Sequence, residues 1–270
     1  MRGTLVIMRR ELFSLATSPF AWILLSVALF LNGVLFTAYI QLLDGDVTWA
    51  LRFALGESLA FWALLVFLPP LFTMRMVAEE ARSGLVEYLL TSPISDAAVI
   101  LGKFLAATTF LALFWCSVPL YGLVLAGLGA SPDWGALLGG TLGAILTSGL
   151  FVSTGLLASA STSTPVLAAF LALAFNLTWL ALPLVTELLL GGAVSWLARV
   201  FSGGEGLGGA SLAAAGDWLQ RLVGTIDILA HFQKSFLVGL LDTTEVVFFL
   251  SWTGLFLFLA VRLLETRRWR

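Results

Sequence analysis

The chain has 270 residues, 60% hydrophobic and 11% charged, with a formal net charge of −2 and a mean hydropathy of +1.02. Soluble domains carry about 25% charge, so this composition lacks the polar surface to cover a water-facing globule and excludes that class. One cysteine, Cys116, and one histidine, His231, also exclude an intrachain disulfide and a Cys/His zinc site.

Leu5, Met8, Leu12 and Leu15 recur at helical spacing. They predict a short amphipathic helix over 1–18, lying on the inner leaflet; a frayed tail is the plainer alternative. Arg9, Arg10 and Glu11 precede a full-length apolar run with no small-residue cleavage site after it, so that run reads as a retained anchor. Six runs free of Asp, Glu, Lys and Arg can span a bilayer: about Phe20–Ile40, Leu59–Thr73 (extendable through Met76), Phe104–Leu128, Trp134–Ala158, Val166–Thr186 and Val246–Val261. In lipid each must be a helix, because a helix satisfies its own backbone groups. The expected fold class is all-α, a polytopic membrane protein with six transmembrane helices in a single domain over 1–270. An even number of spans puts both termini on one side. Arg2, Arg9, Arg10, Arg75, Arg82, Lys103 and the arginines of 262–270 share that side, against Arg52, Arg199, Arg221 and Lys234 opposite. The bias predicts cytoplasmic termini.

The stretch "PPLFTMRMVAEEARSGLVEYLLTSPIS", Pro69 to Ser95, gathers Arg75, Glu79, Glu80, Arg82 and Glu87 between the second and third spans. On a helical wheel Val77, Ala81, Leu85 and Tyr88 fall on one side, and Glu79, Glu80, Ser83 and Glu87 on the other. A helix over 78–91 would be a rod of about 20 Å along the membrane surface; a solvated loop is the alternative. Arg82 lies three residues from Glu79, within pairing reach. Gly84 interrupts the helix, Ser92-Pro93 ends it, and Ser95 or Asp96 can cap the next one. Pro69 and Pro70 remove helical hydrogen bonds just before the charged stretch and form a hinge or a static bend.

"TMRMVAEEARSGLVEYLLTSPIS" followed by "LGKF" resembles the signature of ABC-2 type permeases, and within them the branch of gliding-motility and nitrous-oxide-reductase-maturation permeases. The chain end "VVFFLSWTGLFLFLAVRLLETRRWR" is similar to the same branch. The resemblance implies a permease subunit of an ATP-driven transporter, an exporter, in a prokaryotic cytoplasmic (inner) membrane. It implies two permease copies, identical or homologous, each on a cytosolic ATPase. The 78–91 segment would be the coupling helix, with Arg75, Glu79, Glu80, Arg82, Ser83, Gly84 and Glu87 at the ATPase interface. No G-x-x-x-x-G-K-[ST] phosphate loop occurs in the chain, so no cofactor is expected here and ATP and Mg belong to the partner. The second cytoplasmic turn, "ASASTSTPV", departs from the family by lacking a charged or amide residue. There Ser163 or Thr164 can cap the fifth span, with Pro165 in its first turn.

Gly135, Gly139, Gly143 and Thr147 recur every four residues on the fourth span, a spacing that lets two helices approach closely, within the subunit or between copies. Asn32, Asn176 and Thr178 are polar groups at membrane depth, suited to hydrogen bonds between helices or to a substrate. The 191–242 segment is read as extracytoplasmic. It holds a glycine-rich stretch and then an amphipathic stripe, Trp218, Leu219, Leu222, Val223, Ile226 and Leu229. That helix would face lipid, a second copy or an extracytoplasmic accessory protein. "HFQKSFLVGLLD", His231–Asp242, also resembles the family, without an evident physical reason.

Two other function classes compete. An ion-coupled secondary transporter usually carries ionisable residues at mid-membrane, which these spans lack. A membrane enzyme needs a nucleophile with a base or paired acids in a pocket, and Glu79 with Glu80 or Asp44 with Asp46 have no histidine beside them. A membrane scaffold for an extracytoplasmic complex is a further alternative. No feature points to nucleic acid.

Overall fold

The computed structural model describes residues 2–83, 95–188, 218 and 221–267, and every regular element among them is helical. The chain forms two compact units, residues 1–174 with 232–270, and Phe175–His231. In the first unit α1 (Arg2–Thr17) precedes α2 (Pro19–Leu42), α3 (Val47–Arg52) and a π-helical turn (Phe53–Glu57). Then come α4 (Leu59–Thr73), α5 (Ala78–Arg82), α6 (Asp96–Trp115), α7 (Ser117–Gly127) and α8 (Trp134–Ser161). After α9 (Pro165–Thr186), the chain ends with α10 (Ile228–Ser235), a 3-10 turn (Phe236–Val238) and α11 (Thr243–Arg267). Among the described residues, six helical stretches are long and apolar enough to cross a bilayer, at the places expected of the six runs. This is an all-α polytopic membrane protein.

Local chemistry sets the boundaries. Ser18 accepts a hydrogen bond from Ala21 N with Pro19 at the first helical position, a start that needs no donor from residue 19. Ser95, not Asp96, is the cap of α6, its Oγ accepting from Ala98 N at 3.3 Å. The third span breaks at Cys116, because Pro119 has no N–H to give the Trp115 carbonyl. α9 starts at Pro165, with the Thr164 carbonyl accepting from Ala168 N at 3.0 Å.

α8 is the axis of the first unit, packed by α4, α6, α11 and the 3-10 turn. α2 is peripheral: Ala21, Ala28, Asn32 and Phe36 face inward, while Trp22, Ile23, Val27 and Phe30 are exposed. Asn32 is buried, yet its side-chain oxygen has no hydrogen bond among the described residues. α1 is a helix where the stripe predicts one, and a face outside that stripe is buried. Ile7 and Glu11 are buried and Leu5 is exposed, because α1 docks on α6. Gly102 permits the approach, since a Cβ there would come within 2.7 Å of Ile7 Cγ2 and 2.9 Å of Thr4 O.

In the second unit, Trp179 Nε1 donates to Ile226 O at 2.9 Å and Phe175 rests edge-on against Trp179. The stripe expected to be one helix from Trp218 to Leu229 is interrupted. Residues 221–224 are helical, Thr225 and Ile226 turn, and Asp227 Oδ1 starts a new helix by accepting from Ala230 N at 3.1 Å. Residues 189–217, with the whole glycine-rich stretch, and 219–220 lie outside the described residues.

Candidate functional site

The regular helix of the second span passes through Pro69 and Pro70, both buried, and ends at Thr73. Thr73 Oγ1 donates back to Pro69 O at 2.8 Å. The chain turns over 74–77 and re-forms as α5. A helix start leaves N–H groups without partners, and Val77, at the cap position, has no oxygen to offer. A side chain from another span supplies it. Ser159 Oγ, fully buried near the end of α8, accepts from Val77 N at 3.1 Å and Ala78 N at 3.0 Å, and donates to Met74 O at 3.1 Å. Gly155, one turn earlier, lets α4 come this close, since a Cβ there would overlap Thr73 Oγ1.

Lys103 completes the turn. Its ammonium is fully buried and donates to Met76 O at 2.7 Å and Glu11 Oε1 at 2.9 Å, and pairs with Glu80 Oε1 at 2.9 Å. Arg10 Nη2 reaches the same two oxygens, Glu11 Oε1 at 2.6 Å and Glu80 Oε1 at 2.9 Å. Two cations and two carboxylates thus alternate, and the set is neutral. It joins α1, α5 and α6 at one point. Burying an ammonium is tolerable only with such partners. Burial pushes the Glu11 carboxyl up, but the Lys103 ammonium and the Arg10 guanidinium outweigh it and hold the group below the usual carboxylate range.

Facing outward are Arg75, Glu79, Arg82 and Ser83, all exposed. The ion pair on Glu79 is with Arg75, not with Arg82: Arg75 Nε donates to Oε2 at 2.7 Å and Nη2 to Oε1 at 2.9 Å. The i,i+4 geometry allows both oxygens to be used. Glu80 does not share that edge, since its carboxylate turns inward to Lys103. Gly84 and Glu87, and the 84–91 part of the expected coupling helix, lie outside the described residues.

A cleft of about 330 Å³ opens beside this cluster, where α1, α2, α4 and α5 meet. Among the described residues, no group of His, Cys, Asp and Glu is arranged to hold a metal.

Toward the opposite ends of α4, α6 and α8, the contacts are aromatic. Phe61 lies 5.0 Å from the Trp115 ring and 5.3 Å from Phe232. Trp62 meets Phe232 at 5.3 Å, and its Nε1 donates to Gly56 O at 2.8 Å. Phe236 continues the cluster to Phe249 at 5.9 Å. Gly139 and Gly143 on α8 make room for it: a Cβ would come within 2.6 Å of Phe236 O at one and 2.7 Å of Phe236 Cγ at the other. Gly135 lies under Gly239, whose φ of +77° suits glycine and whose own Cβ would come within 2.6 Å of Gly135 C. The small-residue stripe therefore packs against the chain's own 232–239 segment. Here is the physical reason for "HFQKSFLVGLLD": Phe232 and Phe236 plug the bundle, and Ser235 Oγ donates to Leu240 O to close the turn.

Sequence reasoning missed Ser159, Glu11 and Lys103 as a set. The available signal was a lysine in an otherwise apolar helix face, beside a glycine, which demands a buried carboxylate from elsewhere.

Comparison with known proteins adds one finding. A family model described as "ABC-2 family transporter protein" matches residues 37–203, more than half of the chain. No curated protein matches.

Proposed function

Because the chain belongs to the ABC-2 family of transporter membrane proteins, we propose that it is the permease subunit of an exporter driven by a separate cytosolic ATPase, gripped through Arg75–Ser83 and the residues that follow. The carrying observation is the way this segment is held. Ser159 and Lys103 satisfy the backbone of the 74–77 turn from two other spans, while Arg75, Glu79, Arg82 and Ser83 stay exposed. A push on that edge reaches α8 through Ser159 and α6 through Lys103 without a flexible joint between. The basic bias of the sequence puts this end, and both termini, in the cytoplasm. The resemblance of the 73–103 motif to gliding-motility and nitrous-oxide-reductase-maturation permeases is what supports a prokaryotic inner membrane in this reading.

In this reading ATP and Mg stay on the partner. Closure of an ATPase pair moves the coupling segment on each of two permease copies, and the bundles change which side they open to. The buried charges among the described residues are Glu11 and Lys103, both at the coupling end and paired with each other. That arrangement disfavours an ion-coupled carrier, which needs its ionisable groups at mid-membrane.

The test uses the full chain expressed with its ATPase. Arg82→Glu and Glu79→Lys alter the exposed edge without touching Lys103 or Ser159. We expect both to fold and insert normally while co-purification of the ATPase falls about tenfold, the loss of roughly 1.4 kcal/mol. Undiminished ATPase binding by both variants, or labelling that finds Arg82 outside the cell, would sink the proposal.

A further inference from the structure

The cleft of about 330 Å³ beside the ion cluster shares Arg75, Glu79 and Ser83 with the exposed coupling edge, but the rest of its lining has no part in the coupling reading. Its polar wall includes Ser14, Ser18, Arg75, Glu79 and Ser83, with Glu11 and Glu80 at the back. Its apolar wall includes Leu15, Phe20, Ala21, Leu71 and Phe72. The two walls come from different depths. Phe20 and Ala21 belong to the first turn of the first span, and Leu71 and Phe72 to the last apolar turn of the second. The polar groups lie outside the uncharged runs that end there. The cleft therefore straddles the level at which a bilayer changes from acyl chain to headgroup.

Its charge selects among headgroups. Glu11 and Glu80 at the back are already neutralised by Lys103 and Arg10. The remaining pair is Arg75 with Glu79, about half exposed, with side-chain accessibilities of 51% and 49%. An anionic headgroup could take Arg75 only by leaving the Glu79 carboxylate unpaired beside it. A cation alone would leave Arg75 facing it. A zwitterion can exchange partners with the existing pair, its phosphodiester taking Arg75 and its amine taking Glu79, with no change in net charge. Three serine hydroxyls on the wall reward a primary ammonium, which has three N–H donors, over a quaternary one, which has none.

We propose that this cleft binds a zwitterionic phospholipid with a primary-amine headgroup, of the phosphatidylethanolamine type, with its phosphodiester at Arg75, its ammonium at Glu79, and its upper acyl chain along Phe20, Ala21, Leu71 and Phe72. The lipid wedges α1 against the 74–83 segment. The lipid is read on the chain without its ATPase, so either proposal can fail alone.

The experiment is native mass spectrometry of the full chain released from nanodiscs holding equal parts of phosphatidylethanolamine, phosphatidylcholine and phosphatidylglycerol. Retention of the ethanolamine lipid is expected to exceed that of each other lipid by about tenfold. Ser14→Trp, which fills the cleft from its exposed rim, should abolish the preference, and Phe13→Trp, exposed one residue away and outside the lining, should keep it. Soluble glycerophosphoethanolamine carries the same headgroup chemistry without acyl chains and should not displace the lipid. Equal retention of the three lipids by the unmodified chain overturns the proposal, as does a preference that survives Ser14→Trp. Displacement by the soluble headgroup at equal concentration overturns the lipid as its source. Should Ser14→Trp fail to insert, the selectivity of the unmodified chain decides the matter.

Discussion

Where α8 ends at Ser159 the helices are joined atom to atom, by hydrogen bonds and ion pairs among Ser159, Lys103, Glu11, Glu80 and the 74–77 turn; where it begins at Trp134 they are joined by rings, Phe61, Trp62, Trp115, Phe232, Phe236 and Phe249. Both ends are buried, and both depend on glycines of α6 or α8 for close approach. They differ in what a small displacement does. Ring packing is non-directional and can shift while keeping most of its contact area. A buried ammonium cannot shift by an ångström without losing a partner, and a lost partner there leaves a charge in a low-dielectric site. The ionic end is therefore built to move as one piece, and the aromatic end to yield.

The strongest way to break that contrast is Lys103→Met, which keeps length and apolar stem but removes the charge. Glu11 and Glu80 are left facing each other with only Arg10. The expected loss is about 3–5 kcal/mol, read by denaturation in mixed micelles. Adding Glu11→Gln to it should recover part of that loss by removing one of the two uncompensated carboxylates. A loss below about 1 kcal/mol for Lys103→Met would mean the cluster is solvated and the contrast false. Next in size is Ser159→Ala, which leaves Val77 N and Ala78 N without partners. About 1–3 kcal/mol is expected, together with faster hydrogen exchange at 77–79 and not at Phe61–Leu65.

Which parts of this were legible in the sequence follows the range of the interactions. The six spans were legible because an uncharged run of bilayer length has one solution in lipid. Ser95 was legible because a cap acts within three residues. The Glu79 partner was not. Arg75 and Arg82 both lie within reach by spacing, and the choice falls to Arg75 because the 74–77 turn aims it along α5. Lys103 and Glu11 are 92 residues apart and meet only because α1 docks through Gly102, which no periodicity encodes. Leu5, Met8, Leu12 and Leu15 marked α1 as amphipathic but did not mark the face that docks on α6, for the same reason. A stripe reports amphipathicity, while the docked face was chosen by a charge partner and a missing side chain. The glycine spacing on α8 was visible, but what fills it, Phe232 and Phe236, comes from across the chain. The break at Thr225–Asp227 was overlooked because the apolar stripe continues through it, although Asp227 is a good cap.

A milder substitution sharpens the contrast from the aromatic side. Phe249→Leu keeps an apolar group of similar reach against Phe236. Its cost should stay at or below about 1.5 kcal/mol, because neighbouring rings can close on it. No equally mild change is expected for Lys103. Thermal unfolding of the two variants side by side measures the difference. Equal losses would show that the aromatic end is as tightly specified as the ionic one.

The smallest effect expected is that of acid on α1. The Glu11 carboxyl is held below its ordinary range in the folded chain, despite burial, by Lys103 and Arg10. A depressed carboxylate contributes stability that is fully present above its unfolded value, about 4.3, and is lost as pH falls through the folded value. Docking of α1 should accordingly be independent of pH from neutrality down to about 4.3 and weaken only below it. Protection of the α1 amides against hydrogen exchange, followed from pH 7 downward, should show this step. Glu11→Gln should lower the protection at neutral pH and remove Glu11's share of the step, because the amide has no charge to lose. The rings of the aromatic cluster do not titrate, so amides near Trp115 should show no matching step over the same range. A step of equal size at both ends would mean that acid loosens the whole bundle, and that α1 is not clamped separately by its ion cluster.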